Sequence, residues 1–287
     1  MTFAFALVRA LHLASLMLLF GSAALLAHLR VRVPELAMES GGLRRLRLIL
    51  AGTALVTAPL WLAFATGQMA GDTGAMTNPK ILDLTLTTTL FGQMLAARSV
   101  LLLLLCGTLL ARLEIFTALL AGLCLALVSV TSHAAAASPA HFAVLGIIFD
   151  TVHLLCGGFW LGGLCTLAAI MAQRLRAPRL PAAVGLFAGS GMVAVALLVM
   201  TGLINAATIV LGGPGKAAVL YLGVLGAKLV LVLAMILLAL NNHFRLMPRL
   251  SRPDAFAALK GNIAWEVSLG LGVVLLASLL GLLAPTL

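Results

Sequence analysis

Eight stretches of almost unbroken hydrocarbon alternate with short polar segments along this chain. They cover roughly residues 3–27, 46–66, 88–111, 114–132, 143–171, 183–209, 218–241 and 262–284. About 20 apolar residues suffice to cross a bilayer as a helix, and these runs are too long for the buried core helices of a soluble protein. The pattern predicts an all-α, polytopic membrane protein with eight transmembrane helices. The intervening segments 67–87, 133–142 and 210–217 are rich in Gly and Pro and read as turns.

The polar residues that interrupt the runs are few and therefore informative. Ionisable groups inside a bilayer cost about 3 kcal/mol each or more, so each one is a candidate for function. The fifth run opens with Asp150-Thr151-Val152-His153 and continues through Gly157, Trp160, Gly162 and Gly163. At about 100° per residue, Asp150, His153, Gly157 and Trp160 share roughly a quarter of a helix circumference. A carboxylate, an imidazole, a gap and an indole thus lie on one narrow face. The alternative role for such an Asp–His pair is to pin neighbouring helices together.

The same polar positions recur. Run one carries Arg9 three residues before His12 and Gly21 nine residues after it. Run five carries Asp150 three before His153 and Gly162 nine after it. Runs three and seven each hold one basic residue about ten positions in, Arg98 and Lys228. Residues 1–142 and 143–287 therefore read as two four-helix units in tandem, related by an axis along the membrane normal. At 1.5 Å per residue, His12, Arg98, His153 and Lys228 lie roughly 14–15 Å deep, near the bilayer midplane. With Asp150 they predict a buried polar layer in which opposite charges pair. Thr201, Asn205 and Thr208 add a polar stripe on the sixth run that either lines a path or bonds helix to helix. Pro59 predicts a kink between Thr57 and Trp61. Glu266, near the other end of its run, reads as a residue that snorkels.

Charge orients the chain. Thirteen basic residues fall on one side, in 28–47, 112–113, 172–182 and 242–261, against Lys80 and Lys216 on the other. The positive-inside rule then puts the basic loops in the cytoplasm and both termini outside, which in a bacterial inner membrane is the periplasm. The same rule accounts for the formal charge of +10 without any nucleic-acid partner. Only 9% of residues are charged and 63% are hydrophobic, which excludes a soluble globular domain. Cys106, Cys124, Cys156 and Cys165 all fall inside apolar runs with no Cys-x-x-Cys pair, so they read as small hydrophobes. Residues 3–27 lack a basic segment ahead of them, and five arginines follow between Arg30 and Arg47, so this run reads as a retained helix.

Imidazole and thioether suit copper, and neutral imidazole is the commonest protein ligand for copper and zinc. His12, His133, Asp150 and His153 are the candidate metal residues, with Met69, Met76 and His141 as candidates for capture at the outer surface. Arg98 and Lys228 are the charge or gating candidates. Trp160, Thr201 and Asn205 are the candidates for lining a path.

Several of these motifs resemble the copper resistance protein D (CopD) family. They are Ser132-His133-Ala134, Asp150-x-x-His153, Trp160-Leu161-Gly162-Gly163-Leu164, Phe91-Gly92 with Arg98, and Tyr221 with Lys228 through Asn241. The resemblance implies an inner-membrane protein of copper homeostasis that moves copper across the bilayer, with a periplasmic CopC-like copper carrier as partner. Two other classes fit the residues. Facing histidines in a helical bundle can ligate haem b, which would make the chain an electron-transfer protein such as a cupric reductase. A scaffold for a copper-handling complex is the third.

Overall fold

A computed structural model describes residues 2–34, 41–132, 143–173, 180–211 and 218–284. The ordered elements are α1 (Thr2–Arg32), α2 (Gly41–Ala70), a 3-10 turn (Thr73–Thr77), α3 (Pro79–Thr88), α4 (Leu90–Leu110) and α5 (Glu114–Ser129). They continue with α6 (Ala143–Gln173), α7 (Leu180–Leu211), α8 (Val219–Asn241), a π-turn (Asn242–Leu246), a 3-10 turn (Met247–Arg249) and α9 (Pro253–Leu280). Among the described residues there is no strand.

Seven helices are long and apolar enough to cross a membrane: α1, α2, α4, α6, α7, α8 and α9. The stretch expected to form the remaining span, 114–132, is instead the 16-residue α5. At 1.5 Å per residue it reaches about 24 Å, short of a hydrocarbon core of about 30 Å. Segment 67–87, expected as a loop, is ordered. Asp72 caps the 3-10 turn by accepting from the Gly74 N–H, and Asn78 caps α3 by accepting from the Lys80 N–H, with Pro79 at the first helical position. These are the residues that start helices, because a side-chain oxygen replaces the missing carbonyl partner and proline needs no donor there. Thr89 then caps α4 through the Gly92 N–H, so α3 and α4 meet at a corner. A Cβ at Gly92 would lie within van der Waals overlap of the Thr85 carbonyl and Leu86, so only glycine admits this corner.

The core is built on the α1–α6 contact. Gly21 of α1 faces Gly158, Gly162 and Gly163 of α6 so closely that a Cβ at Gly21 would overlap the Gly158 carbonyl oxygen. Small residues four apart let two backbones touch, which is how helices associate where no hydrophobic effect drives them together. Around this axis α1 packs on α2 and α5, and α6 packs on α7 and α9; α4 packs on α5, and α8 on α9.

The surface is apolar and the interior is partly polar. Leu103, Leu104, Val230, Leu237 and Trp265 are exposed, while His12, Arg47, Arg98, Glu114, Thr201 and Glu266 are buried. That inversion is what a bilayer solvent selects.

Candidate functional site

His12 and His153 are held in the same way by different helices. On α1, His12 Nδ1 lies 3.1 Å from the Ala54 carbonyl oxygen and 3.1 Å from Thr57 Oγ1, both on α2. On α6, His153 Nδ1 lies 3.1 Å from the Leu198 carbonyl oxygen and 3.2 Å from Thr201 Oγ1, both on α7. A carbonyl only accepts, so Nδ1 carries the proton on each ring and Nε2 carries the lone pair. Each threonine hydroxyl is itself committed, Thr57 to the Thr53 carbonyl at 2.7 Å and Thr201 to the Leu197 carbonyl at 2.7 Å. It can therefore only accept from the imidazole. The result is two rings with a fixed tautomer and orientation, each with Nε2 left over. On His12 that Nε2 is buried with no hydrogen-bond partner.

Each ring sits beside a basic residue, His12 within electrostatic reach of Arg98 and His153 within reach of Lys228. Around His12, the Trp61 indole meets the imidazole edge-on with centroids 5.2 Å apart. The Arg98 guanidinium lies 4.7 Å and the Arg9 guanidinium 5.3 Å from the Trp61 ring centroid. Around His153, Gly202 approaches so closely that a Cβ there would sit 3.0 Å from Cε1.

Asp150 and His153 do not bond to one another. Asp150 Oδ1 accepts from Asn205 Nδ2 at 3.2 Å, its carboxyl also bonds the Ser132 side chain, and it faces Lys228. The stripe Thr201–Asn205 on α7 therefore reads the pair Asp150–His153 on α6, one partner each. Arg9, which occupies the place of Asp150 in α1, does not pair with it; it lies over Trp61 and against Gly281, the residue that caps the end of α9.

Trp160 belongs to another place. It is buried, and its side chain hydrogen-bonds Glu266, which also accepts from Asn242; Asn242 in turn accepts from Asn262 Nδ2 at 2.7 Å. Glu266 is 1% exposed, so it does not snorkel: its charge is satisfied inside the bundle because Asn242 arrives from the π-turn that ends α8. This group borders a cavity of ≈ 110 Å³ among α6, α7, α8 and α9, lined otherwise by His243 and by apolar residues.

Met69 is exposed at the end of α2, and Met76 folds over Gly67. His133 and His141 lie outside the described residues. Among the described residues no three His, Cys, Asp or Glu side chains converge as a metal site, so His12 does not join Asp150 and His153 in one cluster. The four cysteines are free. Sequence reasoning missed Thr57, Trp61 and Asn242. The available signal was the spacing of Thr57 from His12 and of Thr201 from His153, 45 and 48 residues.

The fold and these buried groups define a multi-pass helical membrane protein with an orphaned imidazole nitrogen, His12 Nε2, inside the bundle. Residues 1–143 match the family model for the copper resistance protein D-like N-terminal domain, and residues 181–280 match that for copper resistance protein D. The chain belongs to the copper resistance protein D family, and so is a membrane protein of copper resistance. No curated protein and no solved structure matches it.

Proposed function

We propose that this chain passes copper across the bacterial inner membrane from the periplasm, using His12 and His153 as successive or parallel ligands. The observation that carries the reading is the shared arrangement of the two rings: Nδ1–H fixed by a carbonyl and a threonine, Nε2 free. Outer-shell hydrogen bonding of this kind orients an imidazole and raises its basicity toward a metal. Copper is the cargo, consistent with the family. A neutral imidazole next to a buried cation binds a metal ion weakly, so Arg98 and Lys228 keep residence short and favour release.

The same arrangement supports reading residues 1–142 and 143–287 as tandem four-helix units, each with its own histidine, threonine and basic residue. The charge distribution supports periplasmic termini, which requires the short α5, continued by the turn to Ser132, to cross the bilayer as an eighth span. His133, His141, Met69 and Met76 would then lie on the entry side, where a CopC-like carrier would deliver copper. A haem b shared by His12 and His153 draws no support from the geometry, because each ring takes its partners from its own unit.

Purified protein in liposomes, loaded outside with copper, tests the reading. His12→Ala and His153→Ala should each lower the initial uptake rate at least about tenfold, the usual effect of losing a metal-site residue. Uptake equal to the unaltered protein in both variants overturns it. A Soret band in the visible spectrum of the purified protein would reinstate haem.

A further inference from the structure

The two units differ in one charge, and the difference is large for a membrane interior. In the second unit Lys228 faces Asp150, three residues before His153. In the first unit the place of Asp150 is taken by Arg9, so Arg98 faces another cation instead of a carboxylate. Among the described residues no carboxylate makes an ion pair with either arginine; the ion pairs of this half belong to Arg30 and Arg47 with Glu114. Arg98 is 1% exposed. Its Nε and Nη1 and the Nε of Arg9 are buried donors with no partner.

The neighbours do not supply the missing charge. Trp61 offers π-faces to both guanidiniums but accepts no N–H in their planes. His12 is neutral with its proton on Nδ1. The Cys124 thiol donates to the Arg98 carbonyl oxygen at 3.8 Å, so it acts as a protonated group. Nearly all buried donors in native proteins are satisfied, and an orphan calls for an explanation such as an unseen ion. A buried and a half-buried guanidinium with no counter-charge among the described residues are far more costly than one orphaned amide.

We propose that Arg9 and Arg98, which both lie against the Trp61 ring, form a binding site for an oxyanion, a carboxylate or a phosphate. The guanidinium fork matches two oxygens of one group. Arg9 lies seven residues into α1 and Arg98 eight into α4, so the site is about 10–12 Å along each helix. Gly281 makes room for the Arg9 guanidinium itself, since a Cβ there would overlap it. The oxyanion does for the first unit what Asp150 does for the second. The inference stands on the buried donors alone and does not depend on the route of copper.

The test uses the full-length protein in a neutral detergent. Its melting temperature is followed as acetate or inorganic phosphate rises, with sodium chloride holding ionic strength constant. A parallel arm adds phosphatidylglycerol to the micelles. The unaltered protein should show a saturable rise of about 2–4 °C with at least one of these, as a ligand of the folded state gives. Arg98→Met and Arg9→Gln should show none, and Arg98→Lys, which keeps the charge but not the fork, a reduced one. A rise with free acetate or phosphate marks a soluble ligand, and a rise with phosphatidylglycerol alone marks a lipid headgroup; either supports the site. If the unaltered protein gives a flat response to all three, the proposal is overturned, and that result needs no variant to fold. An equal rise in Arg98→Met overturns it as well.

Discussion

At the scale of single residues, the buried charges divide into those with a partner in the chain and those without. Arg47 and Glu114 are the clearest pair. Both side chains are 1% exposed, and both guanidinium nitrogens of Arg47 reach the two carboxylate oxygens, with Nη1 to Oε1 at 3.1 Å. Arg30 adds a contact to Glu114 at 3.6 Å and donates to the Arg112 carbonyl. Removing one side of a buried pair strands the other, at about 3–5 kcal/mol. Glu114→Gln should therefore lower the melting temperature sharply in detergent. The double variant Arg47→Met with Glu114→Leu should recover most of the loss, because two well-packed apolar groups carry no desolvation cost. Equal destabilisation by the single and double variants would show that the pair acts through shape rather than charge. Arg47 and Glu114 were visible in the sequence as one loop-edge arginine and one acid at the start of a run. Their pairing was not, because 67 residues separate them.

At the scale of elements, glycine decides which helices touch. Gly21 and Gly162 stand at the α1–α6 crossing, where added Cβ atoms meet backbone 2.1–2.9 Å away. Backbone cannot yield as a flexible side chain can, so Gly21→Leu and Gly162→Leu should abolish the monodisperse peak on size exclusion. Gly52 and Gly223 meet nothing within 4 Å, and Gly52→Ala and Gly223→Ala should elute unchanged. A normal profile for Gly162→Leu would refute this account of the crossing. The spans themselves were legible, since a long apolar run has one solution in lipid, the hydrogen-bonded helix. The 3-10 turn and α3 were less so. Their caps, Asp72 and Asn78-Pro79, are present in the sequence, but Gly and Thr on either side also suit a loop. Over 114–132 the α-helix ends at Ser129, and Val130-Thr131-Ser132 continue as a turn, because the polar Thr131 and Ser132 close the apolar run.

At the scale of the whole molecule, charge asymmetry and the pairing of the two proposed units give two further expectations. Alkaline phosphatase, active only in the periplasm, should be active when fused after residue 75 and inactive when fused after residue 113, following the positive-inside rule. The opposite pattern would invert the proposed direction of copper passage. Co-expressed halves 1–142 and 143–287 should co-purify, since the α1–α6 contact lies between them and does not need the covalent link. Failure to co-purify, with each half present in the membrane, would mean that the connection rather than the glycine contact holds the units together.

The amino-acid sequence alone determined that this is a helical membrane protein, which residues carry charge into it, and that His12 and His153 recur at matching places. Those properties follow from the solvent and from spacing along one helix. Only the tertiary structure decided what each polar group touches: carbonyl and threonine for the imidazoles, Asn205 for Asp150, Trp160 and Asn242 for Glu266, and no carboxylate among the described residues for Arg9 and Arg98. Hydrophobic periodicity sets which residues enter lipid, but partners across helices depend on where two backbones cross. Here that is set by close contacts between glycines more than a hundred residues apart in the chain.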